Sequence, residues 1–257
     1  MQAAILIPAR LGSTRLPRKL LLNETGLPLI CHTVRTAAQA AALSPGLFRE
    51  VVVAADNLTV CDVVNQFCRK ENLPVRAEMT RVNHSTGSDR IAEVTAKLPP
   101  EIDLLVNLQG DEPEMPPEEI VRLAGMLAQP GAEEADMATL AWPILADGDF
   151  ENPNLVKVVC GFDAKALYFS RAPIPHDRDG SGGVLGYGHL GIYAYRREAL
   201  ARFVSFPPGK LEQREKLEQL RALEQGMKII VGLLSSRPHK GIDTREDYDA
   251  FVSRHMR

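Results

Sequence analysis

Four cations crowd one short stretch near the amino terminus. In Pro8-Ala-Arg-Leu-Gly-Ser-Thr-Arg-Leu-Pro-Arg-Lys19, the side chains of Arg10, Arg15, Arg18 and Lys19 surround Gly12 and the hydroxyls of Ser13 and Thr14. A loop of this kind, placed after a parallel strand, sits where α/β sheets hold phosphates, at the carboxyl ends of their strands. It matches neither G-x-G-x-x-G nor G-x-x-x-x-G-K-[ST], so ordinary dinucleotide and P-loop readings lose support. Composition leaves two readings open, a phosphate cradle and a solvated basic loop. Asp111, in Gln109-Gly-Asp-Glu-Pro113, and Asp243, in Gly241-Ile-Asp-Thr-Arg-Glu-Asp247, each follow an apolar run. Carboxylates so placed suit a hard cation such as magnesium. Taken singly each is more often a turn residue, and Asp243 or Thr244 also fits a helix N-cap. With a basic loop nearby, the pair supplies the charge balance of metal-assisted phosphoryl chemistry.

Two further groups carry weaker signals. His84 to Arg90 (HSTGSDR) is a polar turn that either reads a base or sugar or simply caps a helix. His189 and Tyr193 lie four apart in a run read as strand, which puts both on one face, where they either line a pocket or serve the core.

The elements that must position these residues alternate. Residues 3–7 read as a buried strand ended by Pro8, 29–42 as helix, 51–54 as strand and 58–70 as helix. Residues 75–77 follow as a short strand, 89–97 as a helix starting near Ser88, 103–108 as strand and 118–128 as helix. That rhythm predicts an α/β fold with a mostly parallel central sheet covered by helices on both faces. The second half departs from it. Runs 137–144, 155–160, 165–169 and 189–195 read as strands without full helices between them, so a smaller mixed or antiparallel section is expected there. Then come a helix over 196–204, a long helix over 211–224 closed at Gly226, a strand over 228–234 and a final helix over 245–255. The long helix should bury Leu217, Leu220 and Leu223 and turn most of its charges to solvent. The glycine-rich stretch 179–188 is expected to be a flexible loop.

Length and composition bound the answer further. At 257 residues, 45% hydrophobic and 25% charged, the chain can bury a real core. One domain over 1–257 is expected, with 136–210 a candidate smaller lobe. Thirty basic against thirty-three acidic residues give a formal charge of -3, which offers no global positive field for a nucleic acid. The four cysteines form no C-x-x-C pair, and Cys68 shares an apolar helical face with Val60, Val64 and Phe67. Buried thiols follow rather than disulfides or zinc ligands. No signal-type segment opens the sequence, and no run of about eighteen apolar residues occurs. The expectation is a cytoplasmic protein that does not engage a membrane.

Six ordered segments go beyond such generic signals: IPARLGSTRLPRKLL (7–21), NLQGDEP (107–113), ALYFSRAPIP (166–175), HLGIYAYR (189–196), LEQLRALE (217–224) and GIDTREDYD (241–249). In order and spacing they resemble the CMP-Kdo synthetases, the 3-deoxy-manno-octulosonate (Kdo) cytidylyltransferase family, over almost the whole chain. The resemblance implies a single α/β domain of nucleotide-diphospho-sugar transferase type and a homodimer. It implies transfer of CMP from CTP to the anomeric hydroxyl of Kdo, release of pyrophosphate and a requirement for Mg2+, serving lipopolysaccharide assembly in the cytoplasm. Carried onto matching positions, Arg10 and Lys19 bind the triphosphate, joined in the loop by Ser13 and Arg15, while Asp111 and Asp243 hold magnesium. Ser88 and Gln109 fall on the nucleotide side, and Arg90, Arg171, His189, Tyr193, Glu218 and Gln219 on the sugar side.

Three positions depart from the pattern of many relatives. Arg18 replaces the glycine of Pro-Gly-Lys, Ala55 the threonine of Ala-Thr-Asp, and Asp89 the glutamate of Ser-Gly-Thr-Glu-Arg. The first makes the loop's turn less permissive, because a side chain now stands where glycine bends freely. Two other functions remain on the table from sequence alone. One is the same chemistry on a related acid sugar, an 8-amino analogue of Kdo or a sialic-acid-like sugar; the other is a non-catalytic sugar-nucleotide-binding protein.

Overall fold

The computed structural model describes residues 1–12, 15–180 and 182–256. Ser13, expected in the phosphate loop, lies outside them. The described chain forms two compact units, Met1–Arg122 with Pro238–Arg257, and Leu123–Arg237.

The first unit is built on four parallel strands. β1 (Gln2–Ala9) lies between β2 (Phe48–Ala55) and β4 (Ile102–Asn107), and β3 (Arg76–Met79) extends the sheet beyond β2. Residues Ala3 to Ile7 are wholly buried, which is why β1 reads as a continuous apolar run rather than an alternating one. The strand continues through Pro8, where the sequence predicts its end. The β1–β4 ladder stops at Leu6, so the missing amide hydrogen of Pro8 costs no rung on that side. Helices α1 (Leu29–Leu43), α2 (Leu58–Glu71) and α3 (Gly87–Thr95) connect these strands, and α4 (Pro117–Ala128) carries the chain onward. Asn57 caps α2 by accepting from Thr59 N at 2.9 Å, and Val60, Cys61, Val64, Phe67 and Cys68 form its buried stripe. Thr86 and Asp89 form a reciprocal capping box on α3. The chain winds outward from β1 through β2 to β3 and then returns to the other side of β1 as β4. That reversal is the kind of switch point where parallel sheets open a ligand crevice.

The second unit is mixed, as the broken rhythm implied. β5 (Met137–Ile144) pairs antiparallel with β8 (Gly186–Arg196) and parallel with β9 (Ile229–Leu233), while β6 (Lys157–Cys160) pairs antiparallel with β7 (Ala166–Ser170) and with β8. Helices α5 (Asp147–Glu151), α6 (Arg197–Ser205), α7 (Lys210–Glu215) and α8 (Gln219–Glu224) complete it, and α9 (Arg245–His255) returns to the first unit.

Two expectations are corrected here. The long helix over 211–224 is two short ones, broken at Lys216, whose φ of 55° lies in the left-handed region. The break lets α8 fold back on α7, so that buried Arg221 bonds both carboxylate oxygens of Glu212 at 2.8 and 2.6 Å, a pairing nine residues apart that no straight helix permits. Leu217 and Leu220 are buried as expected and Leu223 only in part, and Gly226 (φ 72°) follows the end of α8. The second correction is at 179–188, where β8 already begins at Gly186. A Cβ on Gly188 would lie 2.5 Å from the Trp142 ring, so the glycine there serves strand packing rather than looseness. Cys31, Cys61 and Cys68 are buried, Cys160 partly so, and all four are free thiols. Burial alone pushes the Cys68 thiol up to about 11.

Candidate active site

At the carboxyl ends of β1 and β4, one ammonium ties the predicted residues together. Lys19 Nζ donates to Asp111 Oδ2 at 2.5 Å and to Ile242 O at 2.8 Å, and lies 3.6 Å from Asp243 Oδ1. Arg15 donates to the same Asp243 oxygen at 2.8 Å. Two carboxylates separated by 132 positions of sequence thus converge on a single cation.

The local structure explains why they meet. Gly110 precedes Asp111, and a Cβ there would sit 3.0 Å from Pro8 O and 3.3 Å from Ile30 Cδ1, so glycine lets this turn lie against the end of β1 without displacing either neighbour. Ile242 N donates to Asp111 O at 2.9 Å, joining the two acid-bearing segments by their backbones. Ile242 itself is buried in a cluster with Leu16, Leu29, Tyr248 and Phe251, so the basic loop and the segment before α9 share one apolar anchor. Thr244 caps α9 and Asp247 completes the box, also accepting from Asp243 N at 3.1 Å. With capping done by Thr244, the Asp243 side chain remains with the cations.

The remaining first-unit residues divide. Arg10 is exposed and has no ion-pair partner among the described residues. Arg18 stands in the left-handed region with φ 53°, the conformation in which glycine is at ease and a side chain is strained. Gln109 is partly buried, donating to Asn107 at 3.2 Å, and Ser88 is buried in the first turn of α3. Arg90 is also buried, bonded to Thr80 Oγ1 at 2.6 Å and Arg81 O at 3.1 Å, with Asp56 Oδ2 at 3.5 Å. Asp56 in turn accepts from Leu11 N at 2.9 Å, so Arg90 and Asp56 brace the start of the basic loop. Asp89 is spent on the cap, accepting from Thr86 N at 3.1 Å.

Sequence reasoning missed Glu112. It packs against Gly241, and burial, reinforced by the charges of Asp111 and Asp243, lifts its carboxyl to about 8. The acid-acid dipeptide beside Gly110 was the available signal.

The second unit gathers the other group. His189 and Tyr193 do share a face, with ring centroids 5.4 Å apart, and Phe169 lies 4.9 Å from the imidazole. Desolvation lowers His189 to about 3 and raises the Tyr193 phenol, which also feels the charge of Glu218. Gln219 is buried at the start of α8. Arg171 donates to Glu215 O at 2.7 Å, Pro153 O at 2.9 Å and Lys216 O at 3.4 Å, while Glu215 accepts from Arg171 N and Ser170 Oγ. Lys157, wholly buried, spends all three ammonium hydrogens on Asn152 O, Leu155 O and Arg171 O at 3.0, 2.8 and 2.6 Å. Neither Lys157 nor Glu215 was singled out in the sequence: the partners of Glu215 lie 44 and 45 positions away, and those of Lys157 are backbone carbonyls, which a side-chain pattern does not mark.

The two carboxylates offer oxygen ligands to a hard cation, and the ammonium between them shows that the position suits positive charge. Among the described residues no three acidic, imidazole or thiol groups form a full metal cage. Two carboxylates are what magnesium uses when substrate phosphates and water supply the rest, so the residues present fit that ion.

A parallel α/β sheet with a basic loop and paired acids at its switch point defines a protein of the nucleotide-binding, phosphoryl-handling class. Comparison narrows this: residues 4–229 match the family model described as cytidylyltransferase, and the chain belongs to that family. It is 46% identical to the 3-deoxy-manno-octulosonate cytidylyltransferase of Rhodopseudomonas palustris (strain BisB18), over 95% of this chain and 94% of that protein. It is 45% identical to the enzyme of the same name from Rhodopirellula baltica, over 99% and 98%. Among solved structures, CMP:2-keto-3-deoxy-manno-octonic acid synthetase complexed with CTP superposes with a TM-score of 0.86 at 36% identity, covering 100% of this chain and 99% of that one. The 4-diphosphocytidyl-2C-methyl-D-erythritol synthase of Anaerococcus prevotii, at 14% identity and a TM-score of 0.66, shares the fold.

Proposed function

We propose that this chain is a 3-deoxy-manno-octulosonate cytidylyltransferase, moving CMP from CTP to the anomeric hydroxyl of Kdo with release of pyrophosphate. The observation that carries the reading is the meeting of Asp111 and Asp243 on Lys19, beside Arg15 and the loop that begins at Arg10. The names and near-complete coverage of the relatives support it.

In this reaction a weakly acidic sugar hydroxyl attacks the α-phosphorus, and both substrates are anions. Cations must offset the triphosphate and the sugar carboxylate together. Arg10, Arg15 and Lys19 stabilise charge on the departing pyrophosphate, the arginines as planar forks and Lys19 as a compact point charge. Gln109 and the amino-terminal turn of α3 at Ser88 lie on the nucleotide side. Arg171, His189, Tyr193, Glu218 and Gln219 orient the acid sugar, with Arg90 bracing the loop that faces the nucleotide. Asp111 and Asp243 would hold Mg2+, which would supply charge neutralisation of the phosphates and a lowered pKa for the attacking hydroxyl. The protein works as a cytoplasmic homodimer in the supply of activated Kdo for lipopolysaccharide.

The test is pyrophosphate release with CTP and Mg2+ against a panel of acid sugars that includes Kdo, its 8-amino analogue and a sialic acid. Turnover should be greatest with Kdo. Asp111→Asn should lower kcat by at least about 10³-fold while the thermal midpoint stays within a few degrees. A parent protein that releases no pyrophosphate with any of these sugars refutes the proposal, and so does an Asp111→Asn variant that keeps full turnover.

A further inference from the structure

One imidazole in the second unit is held in a single protonation state by its neighbours. Thr139 lies in β5 and is wholly buried. Opposite it the β5–β8 register slips: Thr139 pairs with Tyr193, and Leu140 with Leu190, so Gly191 and Ile192 are extra residues in β8. This bulge turns two carbonyl oxygens onto the Thr139 hydroxyl, Ile192 O at 2.8 Å and Leu190 O at 3.1 Å. A third contact comes from His189 Nε2 at 3.0 Å.

The accounting leaves one solution. A hydroxyl has a single hydrogen, and a carbonyl oxygen can only accept. The hydrogen therefore goes to the carbonyls, and the contact with Nε2 must be made by a lone pair of Oγ1. Nε2 then carries a proton. Burial keeps the ring neutral, its pKa lowered to about 3 by desolvation, so Nδ1 has none. Among the described residues nothing bonds to Nδ1.

We propose that Thr139 is a positioning residue that fixes His189 as the Nε2–H tautomer and leaves Nδ1 as a bare acceptor, so that the sugar group meeting it must donate a hydrogen. This rests on the proposed assignment of His189 to the sugar side. It makes the subsite selective by chemistry. A hydroxyl or an ammonium is accepted at Nδ1, whereas a hydrogen, methoxy or keto group at the same position is rejected, because it leaves the acceptor without a partner.

The test reads tautomer and kinetics separately. With imidazole-15N labelling of the parent protein, His189 should show a protonated Nε2 and an unprotonated Nδ1 throughout pH 5–8; a protonated Nδ1, or an exchanging mixture, overturns the proposal. Thr139→Val, which keeps shape but removes the hydroxyl, should raise KM for the sugar about 10-fold or more and leave KM for CTP within about twofold. Thr139→Ser should restore the parent values. Equal changes in both KM values, or no change in either, overturn the positioning role. Singly deoxygenated or O-methylated Kdo analogues should include one that loses about 10-fold or more with the parent and far less with Thr139→Val; the same penalty in both proteins counts against the inference. Should Thr139→Val fail to fold, the parent's imidazole spectrum and Thr139→Ser still decide. A parent that turns over no Kdo defeats the functional assignment, whereas the spectrum judges the tautomer independently of turnover.

Discussion

Lys19 holds the position that gives the site its sign. Its ammonium lies against Asp111 and near Asp243, and its side chain is only 12% exposed. Removing it leaves two carboxylates facing each other and the partly buried Glu112 beside them, with Arg15 the nearest remaining counter-charge. Lys19→Met should therefore lower kcat/KM for CTP by about 10²–10³-fold, measured by pyrophosphate release at fixed sugar, without loss of fold. A change under about threefold would show that the ammonium only fills space. Arg18, next to it, is a different matter. Its φ of 53° costs a side-chain-bearing residue about 1 kcal/mol, which a glycine escapes in part. Arg18→Gly should raise stability by about 0.5–1 kcal/mol in urea unfolding, and a lowered stability would mean that the guanidinium earns more than its backbone strain.

At the scale of elements, short connections rather than long helices set the functional groups. α9 is started by Thr244 and Asp247, and the same cap fixes the backbone of Asp243. Thr244→Ala should cost about 1 kcal/mol of stability. It should also weaken CTP-dependent turnover, since Asp243 loses its fixed approach to Lys19. In the second unit Lys157 ties the loop after α5 to the segment following β7, and Lys157→Met would strip three carbonyls of their donor. The expected penalty is about 3 kcal/mol by denaturant titration, and a value below about 1 kcal/mol would show that water replaces the ammonium. The same scale shows where periodicity misleads. Residues 211–224 carry a good helical stripe, yet Lys216 breaks it because the Arg221–Glu212 pair and the Glu224 carboxylate, which accepts from Lys210 N and Leu211 N, stabilise two helices folded back on each other.

For the molecule as a whole, two desolvated imidazoles make acid the destabilising direction. Burial lowers His32 to about 4 and His189 to about 3 from an ordinary value near 6.5. Each folded pKa lies below its unfolded one, so the unfolded chain binds the extra protons. Stability is fully present above about pH 6.5 and is lost as pH falls toward 4 and then 3. Allowing for the partial exposure of both rings, the pair should account for about 3 kcal/mol of the loss between pH 7 and pH 4. A double His32→Gln, His189→Gln variant should show a shallower decline of urea-unfolding free energy with pH, and an unchanged slope would assign the acid sensitivity elsewhere. Much of this protein was readable beforehand. The alternating apolar runs determined the strands and helices of the first unit, because burial on both sides of a parallel sheet demands unbroken hydrophobic stretches, and the ordered motifs around Arg10, Asp111 and Asp243 named the family. Only the tertiary structure decided that Thr244 rather than Asp243 caps α9, that Asp56 and Arg90 brace the loop, and that Thr139 sets the proton on His189. The brace and the placed proton depend on hydrogen-bond partners 34 to 50 positions apart and on a strand bulge, and the cap depends on which of two adjacent side chains turns back to the helix; a linear pattern carries the identity of a side chain but not the direction of the donor that will meet it.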